Sequence, residues 1–323
     1  MGGLLSTLNF LIESFPPKPI WSVEDMPDLG GKVIIVTGGN AGIGKETVKN
    51  FLRRGAKVYI ASRSEERVCT AIHDLKAETG KEALFLKLDL SDLKSVKAAA
   101  EEFLSKETKL DILFDNGGIL CPSFDTFTAQ GYDMQFGTNV LGHFYLNKLL
   151  LPLLISTAEA AKQRGEDPDV RIVNTSSYAH MFLKTLEFDT FKDSPKRRKA
   201  DPMDLYGQSK FGGIVMAKEL ARRYGDKGII SNSFHPGNIK TDIINNIPYL
   251  QRIFLEMILY DVSYGVLTGL YAAVSPEGKA HNGAYFVPFA RLGKALPETD
   301  NPKLGADLWT WMEEQVTAFE ASL

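Results

Sequence analysis

The chain has 323 residues, 44% apolar and 24% charged, which suits one large or two small globular domains and argues against disorder. A formal net charge of -3 gives no general footprint for a phosphate backbone, so nucleic acid is excluded as the main partner. Two cysteines, Cys69 and Cys121, cannot build a disulfide scaffold or a cysteine-rich metal site, and an intracellular, cytoplasmic setting is the simpler expectation.

Residues 1–29 read as an N-terminal extension ahead of one domain over 30–323. Leu4 to Phe15 is mostly apolar and is stopped by Pro16, Pro17 and Pro19. The stretch is too short to span a bilayer and lacks the basic start of a secretory signal. It suits an amphipathic segment packed on the domain or a peripheral membrane contact. Met1-Gly2-Gly3-Leu4-Leu5-Ser6 also fits the permissive acylation pattern at Gly2.

From there strands and helices alternate. Lys32 to Thr37 is a continuous apolar run, as expected of a strand buried on both faces. Ile43, Val48, Phe51 and Leu52 recur at helical spacing, and Gly55 ends that helix. Lys57 to Ser62 is the next strand, with Val68 to Leu75 in the helix after it. Ala83 to Leu88 and Leu110 to Phe114 are strands flanking a helix over Asp92 to Phe103. A long helix runs from about Gly131 to Thr157, interrupted near Pro152. Val170 to Thr175 and Ile229 to Phe234 are strands around a helix over Met203 to Tyr224. Gly283 to Val287 is a late strand, and Leu304 to Phe319 a closing helix. This rhythm predicts a single-domain α/β Rossmann fold, a doubly wound, mostly parallel sheet with helices on both faces. Two segments break it. Phe182 to Pro202 is a polar insertion carrying Lys196-Arg197-Arg198-Lys199, read as a solvated loop or a contact for anionic lipid. Asn245 to Tyr260 is an apolar excursion in the place of a substrate lid.

After the first strand comes Thr37-Gly38-Gly39-Asn40-Ala41-Gly42-Ile43-Gly44. Glycine here permits a tight turn and lets a pyrophosphate approach the backbone at a helix N-terminus. Gly39 to Lys45 also fits half of a P-loop, but Glu46 stands where the magnesium-binding hydroxyl is needed, so a nucleoside triphosphatase is rejected. The second strand ends Ala61-Ser62-Arg63, with no acid to bind a ribose 2′-hydroxyl and a cationic fork for a 2′-phosphate. NADP(H) is therefore preferred over NAD(H), unless Arg63 merely pairs with Glu65 or Glu66.

Tyr206-Gly207-Gln208-Ser209-Lys210 puts Tyr206 and Lys210 on one helix face, where an ammonium would lower the phenol pKa. Alone that spacing is common by chance. Ser176-Ser177 follows the fifth strand, at the carboxyl edge where open sheets bind ligands, and its hydroxyl can bond a substrate oxygen. Asn139 lies inside the long helix, where an amide is unfavourable, and either kinks it or holds a water. His143, His180 and His235 show no metal-ligand spacing, so no metal is expected. The sequon Asn174-Thr175-Ser176 falls on a buried strand and is discounted.

Taken in order, residues 30–290 resemble the classical short-chain dehydrogenase/reductase family. The likeness rests on Thr37, Gly38, Gly42 and Gly44, on Asp89, on the Asn139 segment, on Ser177, on Tyr206 with Lys210, and on His235-Pro236-Gly237. The wording is most similar to the retinol dehydrogenase-like and WW-domain oxidoreductase-like branch, without a WW domain. The resemblance implies Tyr206 as acid/base, Lys210 on the nicotinamide ribose, Ser177 orienting the carbonyl and Asn139 supporting a proton relay. It implies Asp89 against adenine and Thr241 on the carboxamide. Gly38, Asn40, Gly42, Ile43, Gly44, Arg63, Asp89, Leu90, Asn116, Gly117, Pro236, Gly237, Ile239 and Thr241, with Tyr206 and Lys210, make up the implied cofactor site. The expected reaction is hydride transfer between NADP(H) and an apolar aldehyde, ketone or alcohol by a monomer or homodimer, with the helices near 131–157 and 203–224 as the dimer faces. The alternative is a dinucleotide-binding regulatory protein with little catalysis. One departure stands out. Asp115-Asn116-Gly117-Gly118 replaces the family's Asn-Asn-Ala-Gly, so Asp115 adds a charge for an amide and Gly117 loosens the backbone.

Overall fold

The computed structural model describes residues 13–240 and 259–323. Thr241, the lid expected over 245–260 apart from Leu259 and Tyr260, and the N-terminal apolar stretch before Glu13 lie outside the described residues.

One sheet organises the chain. Its strands are β1 (Val33–Thr37), β2 (Lys57–Ser62), β3 (Leu84–Lys87), β4 (Ile112–Asp115), β5 (Val170–Thr175), β6 (Ile229–Phe234), β7 (Tyr285–Val287) and β8 (Arg291–Leu292). They lie in the order β3-β2-β1-β4-β5-β6-β7-β8. All pairings are parallel except β7 with β8. The order reverses at β1, which pairs with β2 on one side and β4 on the other, and ligands of such sheets bind outside the carboxyl ends at that point. The helices of twelve residues or more among the described residues are α1 (Gly42–Arg53), α2 (Glu65–Thr79), α3 (Leu93–Lys106), α4 (Gly142–Gln163), α5 (Pro202–Tyr224), α6 (Val262–Val274) and α7 (Pro302–Glu320). Residues of α1, α2 and α6 pack on one face of the sheet, and those of α3, α4, α5 and α7 on the other.

The long fourth helix differs from its sequence reading. It runs through Pro152 unbroken. An internal proline costs about 3 kcal/mol, and burial of Leu150, Leu151, Leu154 and Ala158 around it offsets that. The irregularity falls earlier, in a π turn over Gly137–Leu141 that joins the short helix Met134–Phe136 to α4. By length and composition the stretch 134–163 could cross a membrane, but 67% of its apolar window is buried inside the fold, as in a core helix.

Helix α7 lies where the sequence suggested a dimer face. Its Trp309 packs on Phe144 of α4 and Tyr224 of α5, and its Phe319 on Tyr145. A homodimer built on those inner faces would first have to displace α7.

The basic run of the insertion is not a free cationic patch. Arg197 is buried against Asp133, Lys196 pairs with Glu187 and Arg198 with Asp193. The pairing consumes most of the charge that would meet anionic lipid.

Candidate active site

The turn after β1 is a cradle for something that takes hydrogen bonds from backbone. Gly38 has φ +64°, and a Cβ there would lie 2.9 Å from the Gly117 Cα. A Cβ on Gly44 would lie 2.3 Å from the Gly38 carbonyl oxygen, so no side chain fits. Helices α2, α3, α5, α6 and α7 start on side-chain caps from Ser64, Asp92, Asp201, Asp261 and Asn301. Helix α1 starts at Ala41 without one, which leaves its first amides to a ligand. These features fit the pyrophosphate of a dinucleotide.

Thr37 is the hub behind that turn. Its hydroxyl oxygen accepts the amides of Asn116 at 2.9 Å and Gly117 at 2.8 Å, and the Asn116 side chain donates back to the Thr37 carbonyl at 3.0 Å. Gly117 is therefore held rather than loosened. The alanine expected there would set its Cβ 3.0 Å from Leu90 Cδ1. Asn40 accepts the Ser62 hydroxyl at 2.8 Å and ties the turn to the end of β2. Arg63, next along, is exposed and makes no ion pair with Glu65, Glu66 or any other described residue. The Asp89 carboxylate accepts the Ser91 amide at 2.9 Å and hydroxyl at 2.6 Å. Ile43 is half-buried at the start of α1. At the end of β6, Gly237 has φ +97° and follows Pro236, while the Ile239 side chain is buried against Gly265, so Ile239 offers a ligand only its backbone.

Asp115 is not the charge its sequence position suggests. It is 3% exposed, one oxygen accepts the Asn147 amide at 2.9 Å and the other has no partner. Burial holds its pKa well above the usual carboxylate range, against the opposing hydrogen bond from Asn147. Because the folded state holds this proton more tightly, its contribution to stability is complete below about pH 4 and is lost as pH rises towards the folded pKa. Asp115→Asn is expected to be more stable than the parent at neutral pH, by a margin widening up to about 1.4 kcal/mol per pH unit until Asp115 ionises. Urea unfolding of both proteins from pH 5 to 9 checks this, and a constant margin would refute it.

The second half of the site is built around α5. Ser176 donates to the Lys210 carbonyl at 2.9 Å and so pins α5 to the end of β5. Lys210 Nζ donates to the Thr175 carbonyl at 2.9 Å and lies 5.6 Å from the Tyr206 ring centre. Ser177 caps the short turn Tyr178–Phe182 and hydrogen-bonds the Tyr206 phenol. Asn139 sits in the π turn. Its amide donates to the Ile119 carbonyl at 3.0 Å and to Ser209 Oγ at 2.9 Å, its oxygen accepts the Ile119 amide at 2.9 Å, and Ser209 donates to the Tyr206 carbonyl at 2.7 Å. Ser177, Tyr206, Lys210 and Asn139 thus converge at the carboxyl edge beside the glycine turn. The amide of Asn139 is spent on protein partners, so any part it takes in a proton relay falls to its carbonyl.

The electrostatics run against expectation. Burial pushes the Tyr206 phenol up to about 12, and the Ser177 hydrogen bond works the other way. Burial draws Lys210 down to about 8, and its nitrogen is turned to Thr175 rather than to the phenol. The expected lowering of the phenol by Lys210 is absent from this arrangement. Sequence reading also passed over His143, weighed only as a metal ligand. Its ring bonds Thr37 Oγ1 at 2.9 Å and the Asn139 carbonyl at 3.0 Å. The signal was its four-residue spacing from Asn139 on a helix. Among the described residues no group of three His, Cys, Asp or Glu is placed to hold a metal.

The chain is similar to known proteins over most of its length. A family model described as short chain dehydrogenase matches residues 32–184. A short-chain dehydrogenase/reductase of Armillaria gallica is 52% identical over 95% of this chain and 97% of its own. Mouse retinol dehydrogenase 12 is 36% identical over 86% of this chain and 84% of its own. Among solved structures, an uncharacterised protein from Mycobacterium paratuberculosis superposes with a TM-score of 0.70 at 25% identity, over 91% of this chain and 96% of the other. Pseudomonas aeruginosa RhlG in complex with NADP does so at 0.63 and 23%, over 85% and 98%, a likeness of fold.

Proposed function

Because the chain belongs to the short-chain dehydrogenase/reductase family, in its retinol dehydrogenase-like branch of NAD(P)H-dependent oxidoreductases, we propose that it moves hydride between NADP(H) and an apolar aldehyde, ketone or the matching alcohol. The observation that carries this reading is the convergence of Ser177, Tyr206 and Lys210 beside the side-chain-free turn at Gly38 and Gly44. The nicotinamide, when bound, supplies or accepts the hydride. In reduction, Tyr206 gives its phenolic proton to the substrate oxygen while Ser177 fixes that oxygen by a hydrogen bond, and in oxidation Tyr206 takes the proton back. Lys210 on α5 would hold the nicotinamide ribose, and its ammonium would favour the phenolate once turned from the Thr175 carbonyl towards Tyr206. Asn139 holds the loop after β4 at Ile119 and the Ser209 hydroxyl of α5 in register with this chemistry. An apolar substrate is supported by Phe182, 69% exposed and stacked edge-on to Tyr178 beside Ser177, and by the name of the mouse relative.

The preference for NADP(H) rests on Arg63, a guanidinium with no ion pair among the described residues, at the end of β2 with Ser62 in place of an acid. Arg63→Ala is expected to weaken NADPH binding by about 10- to 100-fold, the worth of charge-assisted hydrogen bonds, and to leave NADH binding nearly unchanged. Fluorescence titration of both nucleotides reads this, and equal losses for the two would sink the preference. The same purified protein, assayed with NADPH against a panel of aldehydes and ketones, tests the reaction. A second reading, nucleotide binding with little catalysis, is favoured by the Tyr206 phenol standing at about 12. Tight NADPH binding without turnover of any carbonyl in the panel would select it.

A further inference from the structure

The reaction outlined above gives His143 no part, yet its ring is the bridge between the two halves of the site. It is 2% exposed, and burial draws its pKa down to about 4, so it is neutral. Its tautomer follows from the hydrogen bonds. Thr37 Oγ1 already accepts two amides, from Asn116 and Gly117. Its single proton must be donated, and the nearer acceptor is His143 Nε2 at 2.9 Å rather than the Phe114 carbonyl at 3.4 Å. Nε2 is therefore bare, the ring proton is on Nδ1, and Nδ1 donates to the Asn139 carbonyl at 3.0 Å inside the π turn. The surroundings agree. Asp115 lies 4.0 Å from Nε2, and its burial disfavours the carboxylate charge that would favour a protonated ring and set an N–H against the Thr37 oxygen. The Lys210 ammonium also opposes protonation of the ring.

We propose that His143 is a positioning residue that acts on both halves of the site through opposite edges of one imidazole. Through Nε2 it accepts the Thr37 hydroxyl's hydrogen bond and leaves that oxygen's lone pairs to hold Asn116 and Gly117 against the glycine turn. Through Nδ1 it fixes the Asn139 peptide, whose side chain holds Ser209, which in turn holds the Tyr206 carbonyl. The first arm governs nucleotide affinity and the second governs turnover. This assignment rests on the hydride-transfer reading only for its second arm.

The two arms separate because the amides of Gln and Asn imitate different ring nitrogens. His143→Gln places an acceptor near Nε2 and loses the donor to Asn139. His143→Asn places a donor near Nδ1 and loses the acceptor for Thr37. His143→Gln is expected to keep its NADPH Kd within about twofold and lose about tenfold in kcat, while His143→Asn does the reverse, about tenfold being the worth of one buried hydrogen bond. Thermal unfolding of both, with His143→Phe as the variant lacking both arms, measures how much of any loss is misfolding. Losses of Kd and kcat together in both amide variants, or in neither, overturn the proposal. Should the parent bind NADPH but turn over no carbonyl, the hydride-transfer reading fails, and the Kd contrast between Gln and Asn still decides the first arm. Nitrogen-15 NMR of the histidine-labelled parent is independent of any variant's folding: a neutral His143 with its proton on Nδ1 supports the assignment, and a proton on Nε2 overturns it.

Discussion

Tyr206→Phe is expected to lower kcat by about 10²- to 10⁴-fold, the usual share of a positioned general acid, with NADPH affinity changed by no more than about threefold. The change removes one oxygen and leaves the ring. The ring is partly buried and faces the Lys210 ammonium, contacts that phenylalanine keeps. What is lost is the phenolic oxygen that Ser177 hydrogen-bonds, and with it the proton that must reach the substrate oxygen. The backbone of Tyr206 stays tied to Ser209 and Asn139, so Lys210 and the glycine turn are not disturbed. The pH profile adds a sign. With the phenol at about 12 in this arrangement, Tyr206 is protonated at neutral pH, the state needed for reduction. Oxidation needs the phenolate, so its rate should climb with pH further than that of reduction until Lys210, at about 8, begins to lose its charge. Steady-state assays in both directions, with a fluorescence titration of NADPH on the variant, read all of this. A variant that retains full turnover would remove Tyr206 from the chemistry.

Much of this site was legible because its signals are local. Strands β1 and β2 are short, mostly apolar runs buried on both faces, and runs of that kind identify themselves, while β5 and β6 carry buried apolar residues such as Ile172, Val173, Ile229 and Phe234. The turn at Gly38 to Gly44 and the spacing of Tyr206 and Lys210 are fixed by backbone geometry within a few residues. What escaped depends on partners far along the chain. Helix α6 is buried almost all round, so it carries no polar stripe to betray a helical period. Strand β8 is two residues, too short for any alternation. The π turn around Asn139 is set by Ile119 and Ser209, which meet it only in the fold. Asp115 reads as a charge in the sequence, and only its burial in the core pushes its carboxyl well above the usual carboxylate range, against the opposing hydrogen bond from Asn147.

The basic run Lys196 to Lys199 is the strongest case of a residue whose partner is remote, and it carries the largest expected effect on stability. Arg197→Ala is expected to destabilise the fold by about 3–5 kcal/mol, because it leaves a buried carboxylate without its counter-charge. The guanidinium is 3% exposed; its Nε donates to Asp133 at 2.9 Å and an Nη to the Phe124 carbonyl at 2.8 Å. Its Cζ lies 4.8 Å from the Phe124 ring centre and 4.3 Å from that of Phe127, where lysine could not stack in the same way. Asp133 has a second duty. Its other oxygen accepts the amides of Gln135 and Phe136 at 3.0 and 2.9 Å, and so starts the helical turn that leads into the π turn of Asn139. Loss of Arg197 therefore acts at both ends: the insertion is released from the loop over Phe124, and the start of the Asn139 segment is left with an unpaired charge. Arg197→Lys should recover only part of the loss. Arg197→Met combined with Asp133→Asn should recover more, since the remaining amide oxygen still caps Gln135 and Phe136 and no charge is stranded. Thermal unfolding should show a fall on the order of 10 °C for Arg197→Ala. A loss below about 1 kcal/mol would mean that the pair behaves as a surface contact, and the insertion would then owe its placement to the stacking of Phe191 on Phe136 and Trp311 instead.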